Sequence, residues 1–412
     1  MPRNTADVFI PRWKDIAKNT MHRKKIIFFM FLVILFYSLN LGFCGDARDG
    51  FARGVWVSVF SENKILYSKD AVIKLIDVCK QAKIDRIYLQ VYQSGNAYYD
   101  SGQFNRLKYE GMVKEAGLDT IDFLLKEAKA NNIKVFAWVN LLSLGQNNNA
   151  DIIKKFGREV LTRDHYLRIS GRDNPNESDK YYLREELLFL EPGDQRVAKL
   201  LISVAEEVID RYPLFSGIHL DYVRYPMTVP FISGSRFTKY GLSYGYGLKN
   251  IERFKEWTGL DPLSGLKNTK DYMLWDDWRR EQITSLVRRI AKRIKEKSNN
   301  LLVSAAVIPA GDRAYSSMFQ DWPLWLEEGI LDYVVLMNYT LDNRLTKELV
   351  RASLAHRGGG RVFIGLGLYL MKDNLNIFSE QYKTVSSLKP DGVAIFSYDD
   401  LDEKVIKYLS GI

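Results

Sequence analysis

The chain has 412 residues, 46% hydrophobic and 26% charged, with two cysteines. That is enough for a large core in one α/β barrel domain, and it excludes a disulfide scaffold. The net charge is +9, but residues 1–25 hold seven Lys/Arg against two acids, which leaves a mild +4 for the remainder; no motif of a nucleic-acid-binding fold accompanies it, and nucleic acid is not an expected partner.

Residues 1–45 read as an N-terminal extension carrying a signal peptide or membrane anchor, and 46–412 as the folded domain. Arg23-Lys24-Lys25 precedes Ile26–Phe36, an uncharged apolar run of eleven residues. A basic stretch before a core of that length is signal-peptide chemistry, and it is short for a membrane span. A start at Met21 gives this segment an ordinary signal-peptide form. An uncleaved anchor reaching Phe43 is the alternative, and it makes the membrane a second expected partner. Export to the periplasm, cell envelope or extracellular space follows on either reading. Leu41-Gly42-Phe43-Cys44 has the outline of a lipoprotein box, with Phe43 where a small residue belongs. Cys79 falls on an amphipathic stretch and reads as a buried free thiol.

In chain order, Arg53–Val59 reads as a first strand and 71–83 as a helix, with Val72, Leu75, Ile76 and Cys79 on one stripe. Asp85–Val91 is a second strand, 121–130 a helix, and Lys134–Asn140 a third strand. A long polar insertion follows, then a helix over 196–211. The fourth strand opens the motif Gly217-Ile218-His219-Leu220-Asp221-Tyr222-Val223-Arg224-Tyr225-Pro226. Strand alternation puts His219 and Asp221 on one face, Ile218 and Leu220 on the other. A second insertion, about 227–271, is rich in Tyr and Gly. A basic amphipathic helix over 274–297 precedes strands at 301–307, 331–339, 361–368 and 392–398.

Apolar strands alternating with helices imply a parallel sheet covered by helices. Eight such units predict an α/β fold, a (β/α)8 TIM barrel, with insertions after strands 3 and 4. Its reactive end is the carboxyl ends of the strands. An open doubly wound sheet would need a Gly-rich phosphate turn after an early strand, and none is present.

The strand ends deliver aromatics, amides and a few carboxyls. Strand two brings Gln90 and Tyr92, then Asn96 and Tyr98. Strand three brings Trp138 and Asn140; strand four, His219, Asp221 and Arg224. Strands six to eight bring Asn338 and Tyr339, Tyr369, and Tyr398 with Asp399. Flat aromatic faces stack on the C–H face of a sugar, and directional amides hydrogen-bond its hydroxyls. The set predicts a polysaccharide or oligosaccharide cleft.

Here the chain resembles a known family, the bacterial family-10-like glycosylhydrolases. The resemblance runs from about Arg53 to Leu401. It is carried by Arg53-Gly54-Val55-Trp56, Gly95-Asn96-Ala97-Tyr98-Tyr99, Ala137-Trp138-Val139-Asn140, Leu190-Glu191-Pro192-Gly193 and above all the fourth-strand motif. Trp278-Arg279-Arg280-Glu281-Gln282, Met337-Asn338-Tyr339 and Phe396-Ser397-Tyr398-Asp399 add to it. The family implies a TIM barrel, an exported bacterial protein and action on glycosidic bonds, in some relatives those of peptidoglycan glycan strands. The chain departs from the family at Asn96, where Asp is expected, and at Phe136, where His is common. Val223 stands where a chitinase-type strand needs its Glu, which excludes that acid.

Glycoside hydrolysis usually takes two carboxyl groups. Asp221 is the first candidate, with Arg224 beside it to hold it ionised or to bind a substrate carboxylate. Asp399 is the second, with Asp400 and Glu191 in reserve. Without a second acid, a neighbouring N-acetyl group is the remaining nucleophile. No cofactor is expected. The four histidines, His22, His165, His219 and His356, include no pair at metal-ligand spacing, which disfavours a zinc deacetylase. A non-catalytic glycan-binding barrel is the rival from another class. The insertion at about 227–271, with Phe231, Phe237, Tyr240, Tyr244 and Tyr246 interleaved with glycines, is expected to wall the cleft.

Overall fold

Eight parallel strands close on themselves: β1 Ala52–Val57, β2 Arg86–Gln93, β3 Lys134–Asn140, β4 Gly217–Asp221, β5 Leu302–Val307, β6 Tyr333–Asn338, β7 Arg361–Gly367 and β8 Gly392–Phe396. Each pairs with the next in sequence, and β8 pairs with β1. This computed structural model describes residues 50–171, 186–228, 242–372 and 374–412. The segment proposed as signal or anchor lies outside them. The predicted (β/α)8 barrel is the observed fold, and Phe51–Ile412 forms one compact unit.

Eight helices follow the strands: α1 Lys69–Gln81, α2 Thr120–Ala130, α3 Gln195–Arg211, α4 Thr269–Lys297, α5 Trp322–Glu327, α6 Asn343–Ala355, α7 Leu375–Ser387 and α8 Glu403–Ser410. All eight start behind Ser, Asp or Asn, whose side chain accepts a backbone N–H of the first turn. Those caps satisfy donors that have no partner within the helix. Cys79 sits buried on the inner face of α1, and burial pushes its thiol pKa up. The helices at Leu107–Ala116, Asp151–Phe156 and Gly311–Ser317 were not anticipated. The first buries Met112 and packs Tyr109 partly against the core.

Strand alternation divides the core in two. Ile87, Leu89, Ile218 and Leu220 face the helices. Trp56, Tyr88, Phe136, Trp138, Tyr333 and Phe363 fill the barrel interior. So many rings fit because other inward positions are small. A Cβ on Gly365 would stand 2.7 Å from the Leu336 carbonyl oxygen and 2.9 Å from the Trp56 ring. Arg86 is buried at the amino end of the barrel, its guanidinium 4.9 Å from the Phe363 ring centre and 5.7 Å from that of Tyr333. Cation–π attraction offsets part of the cost of burying that charge.

The insertion after β3 carries a small antiparallel pair, Ser143–Gly145 with Leu188–Phe189. The insertion after β4 meets expectation only in part: Met227 lines the cleft. Phe231, Phe237 and Tyr240 lie outside the described residues. Tyr244 and Tyr246 do not wall the cleft; they are 2% and 8% exposed. Tyr246 packs on Trp275 with ring centres 5.2 Å apart, and the Arg279 guanidinium lies 5.1 Å from its ring centre. Tyr246 turns inward because the helix Leu248–Thr258 brings Phe254 and Ile251 alongside Trp275, and this small apolar cluster needs closing, while Tyr244 packs into the main core.

Tyr246→Ala is expected to lower unfolding free energy by about 3 kcal/mol, as for a buried aromatic truncated in a packed cluster. Urea denaturation measures this, and glycan affinity should stay at the wild-type value.

Candidate active site

The carboxyl ends of the strands surround a cleft of about 800 Å³. Trp56, Trp138 and Phe396 supply aromatic surface to it, as do Tyr339 and Tyr369. Gln90, Gln93, Asn140 and Asn338 supply amides, and Arg224 and Arg313 supply positive charge. Asp221 is the one carboxyl among the described lining residues.

Asp221 ends β4 and is 8% exposed. Trp138 Nε1 donates to its Oδ2 at 3.1 Å, and the Tyr222 backbone N–H to its Oδ1 at 2.7 Å. Both oxygens therefore accept, which is how a carboxylate is presented. Tyr222 adopts a left-handed backbone (φ 54) that ends the strand, and the chain then returns Arg224 to the cleft. The Arg224 guanidinium lies 4.9 Å from the Tyr222 ring centre and 5.7 Å from that of Phe189. Burial, then the nearby charge of Asp221, raises the Tyr339 phenol well above its ordinary pKa. It stays a neutral hydroxyl at any working pH.

The amides are held by the fold. Gln90 Oε1 accepts from Ser58 Oγ and from the Val59 N–H, both at 3.1 Å. Asn140 Nδ2 donates to Gln93 Oε1 at 2.5 Å. Asn338 Nδ2 donates to Thr346 Oγ1 of α6 at 3.0 Å. Each bond fixes which end of the amide points where.

Of the predicted site residues, the structure gathers Gln90, Trp138, Asn140, Asp221, Arg224, Asn338, Tyr339 and Tyr369 around the cleft. His219 lies beneath it, fully buried, accepting from Trp56 Nε1 at 3.2 Å and sharing a hydrogen bond with Ser304 Oγ at 2.9 Å. The other five lie elsewhere. Tyr92 lines a separate cavity. Asn96 Nδ2 donates back to the Ser94 carbonyl at 3.3 Å, and Tyr98 is buried against Phe60. Tyr398 is buried at the start of a 3₁₀ turn.

Asp399 turns to the loop after β1. It accepts from Ser61 Oγ at 2.5 Å, Asn63 Nδ2 at 2.8 Å and the Glu62 N–H at 3.3 Å. The reserves are tied down too. Asp400 closes a capping box with Ser397. Glu191 is fully buried and accepts from Thr162 Oγ1, Tyr225 OH and the backbone N–H groups of Gly193 and Gly247. Burial raises its pKa against the pull of those four bonds. All three acids brace loops.

Trp56, Ser58, Gln93, Tyr222, Arg313 and Phe396 line the cleft without having been singled out as ligand contacts. Trp56, Ser58 and Phe396 were readable: they hold inward positions at the ends of β1 and β8, where the strand-end rule applied elsewhere also reaches.

Residues 52–357 match the family described as Glycosyl hydrolase-like 10. The glycosyl hydrolase YngK of Bacillus subtilis is 24% identical over 344 residues, covering 77% of this chain and 60% of YngK. The glycosyl hydrolase DigH of Escherichia coli K12 is 22% identical over 320 residues, covering 70% of this chain and 65% of DigH. The chain thus spans less than two thirds of either relative. Among solved structures, α-L-fucosidase isoenzyme 2 from Paenibacillus thiaminolyticus aligns with a TM-score of 0.55 at 13% identity, covering 87% of this chain and 48% of the other. The catalytic domain of β-amylase from Paenibacillus polymyxa aligns at 0.53 and 12% identity, covering 87% and 95%. At those identities the structural likeness is one of fold.

Burial lowers the His219 pKa from 6.5 to about 3. A base whose folded pKa is depressed contributes full stability above its unfolded pKa and loses it as pH falls. Unfolding free energies of wild type and His219→Gln, measured by urea between pH 7.5 and pH 4, are expected to converge as pH drops below 6.5, because only the wild type must hold a neutral imidazole. Parallel curves would show that His219 does not titrate on unfolding.

Proposed function

The chain belongs to the glycosyl hydrolase-like 10 family, and from that membership we propose that it hydrolyses O-glycosidic bonds of a cell-envelope or environmental polysaccharide. The observation that carries this reading is Asp221, held by two N–H donors in a cleft of aromatic faces and fixed amides. A sugar ring stacks on such faces, and its hydroxyls meet the amides. Asp221, accepting from two N–H donors, then stands at the scissile bond, suited to the part of base or electrostatic stabiliser.

One carboxyl is half of the usual pair. A 2-acetamido sugar supplies the missing nucleophile itself. Its acetamido oxygen attacks the anomeric carbon as the glycosidic C–O bond breaks, the leaving oxygen takes a proton from a solvent water, and Asp221 accepts the acetamido N–H. A second water then opens the cyclic intermediate at the anomeric carbon, giving up its proton to solvent and restoring the acetamido group. Peptidoglycan glycan strands are polymers of such sugars and are the substrate we propose. We propose export as well, supported by the basic cluster Arg23-Lys24-Lys25 before the uncharged run Ile26–Phe36.

The lone carboxyl among the described lining residues also favours a second reading, a barrel that binds glycan without cleaving it. Asp221→Asn separates the two. Purified glycan strands are incubated with each protein and the products resolved by mass spectrometry. On the hydrolase reading the variant loses about 10²–10⁴-fold in turnover and keeps its melting temperature. Glycan binding by both proteins with turnover by neither would establish the binding barrel. Wild-type turnover in the variant would remove Asp221 from the chemistry.

A further inference from the structure

A second cavity, of about 470 Å³, opens where the loop after β2, the short helix Asp151–Phe156 and the outer face of α3 meet. It shares no lining residue with the cleft. Its volume lies within the range of small-molecule sites. Tyr92, Phe104, Ile152, Phe156 and Leu200 make its walls apolar. Tyr92 is buried and meets Phe104 edge-on at 6.1 Å, while Phe104, Phe156 and Leu200 remain half-exposed.

Charge on the rim is one-sided. Lys155, Lys199 and Arg196 line the cavity against a single acid, Asp151. Asp151 is paired with Lys154 at 3.2 Å, outside the lining. Arg196 is held by Asp194 and Glu159, so its charge is already answered. Lys155 lies 5.2 Å from the Phe156 ring centre. Neither Lys155 nor Lys199 has an acidic partner among the described residues. The cavity therefore presents an apolar body with two unanswered positive charges at its mouth.

We propose that this cavity is a second ligand site, for an amphipathic anion: a carboxylate or phosphate carried on an apolar chain or ring. The apolar part lies among Tyr92, Phe104 and Phe156, and the anion sits between Lys155 and Lys199. Walls this apolar favour a hydrocarbon chain or ring over a hydroxyl-covered sugar, so this ligand differs in class from the substrate proposed for the cleft.

The test titrates the full folded domain with octyl phosphate, octanoate and neutral octyl glucoside, each below its micelle concentration, by ligand-observed NMR. Both anions are expected to bind about fivefold or more tighter than the glucoside, the scale of two exposed charge contacts. The order of the two anions assigns the head group. Raising salt to about 0.5 M should remove most of that preference. Lys155→Gln with Lys199→Gln should abolish the preference while leaving activity on glycan strands unchanged. Ser203→Phe, which fills the cavity from α3, should block all three probes. Equal affinity for anionic and neutral probes would overturn the proposal. So would anion binding that survives Ser203→Phe, or that is lost on Trp138→Ala, since the ligand would then sit in the cleft.

Discussion

Trp56 Nε1 donates to His219 Nε2 across 3.2 Å, and because an indole N–H can only donate, that imidazole nitrogen must carry a lone pair. The proton of the neutral ring is then on Nδ1, which donates to Ser304 Oγ at 2.9 Å. The serine hydroxyl passes its own proton toward the Ile218 carbonyl oxygen at 3.4 Å. Three strands, β1, β4 and β5, are joined by this one-directional chain beneath the cleft. Protonating His219 would set two donors against each other and bury a charge, and that double cost fixes the Trp56 indole in place. The Tyr88 ring at 4.3 Å from the imidazole closes the remaining side. A second indole repeats the logic one layer up, where Trp138 gives its N–H to Asp221. The aromatic floor and the carboxyl above it are thus oriented by donors that cannot reverse.

The other acids near the rim show what sets Asp221 apart. Asp399 and Glu191 accept from loop groups on both oxygens, and Asp400 serves a capping box. Each costs desolvation and returns order in a loop that has no regular structure to satisfy its backbone. At the carboxyl end of a barrel the connecting loops are long, so such struts are needed where they are also most easily mistaken for catalytic acids. What separates Asp221 from them is position: it alone of the four lines the cleft. On the hydrolase reading we propose, chemistry with one protein carboxyl would draw on the substrate for its nucleophile, and that is the reason for proposing an N-acetylated glycan over a plain hexose polymer.

The barrel was legible because its strands are near-continuous apolar runs and its helices carry both stripe and cap. Lys134–Asn140 was read to the residue, and α3 to within one position. Alternation placed Trp138, Asn140 and Asp221 on the cleft, up to the last residue of their strands; it gave His219 the inward face too, but one layer down, where the ring is buried beneath the cleft instead of lining it. It failed where the backbone left the strand. Beyond Phe396, the 3₁₀ turn at Tyr398–Asp400 and its capping box carry Asp399 toward the β1 loop. The local signal of that turn is the capping-box spacing of Ser397 and Asp400, which alternation alone does not weigh. The tyrosines of the second insertion misled for another reason. Gly-Tyr interleaving describes a loop that approaches something closely, and here Tyr246 approaches Trp275 rather than a ligand. Burial depends on partners distant in sequence, and a local pattern does not contain them.

The failure at Tyr92 has a sharper cause. Regular alternation from Arg86, Tyr88 and Gln90 would point Tyr92 inward. The pairing of β2 with β3 slips between Gln90 and Tyr92. A bulge adds one residue to one strand and inverts every side chain beyond it. Gln93 therefore takes the inward place and meets Asn140 at 2.5 Å, while Tyr92 turns out to wall the flank cavity. A single irregularity thus builds part of both sites from adjacent residues. The short antiparallel pairing of Tyr92 with Ala97 and Gln93 with Asn96 holds that register. Ser94 and Gly95, both left-handed, make the turn between them, and Gly95 is needed there, since a Cβ would come within 3.2 Å of Ala150 on the cavity's far wall. Any shift in this turn large enough to reseat Tyr92 would move Gln93 with it, because a two-residue turn has no slack to absorb the change.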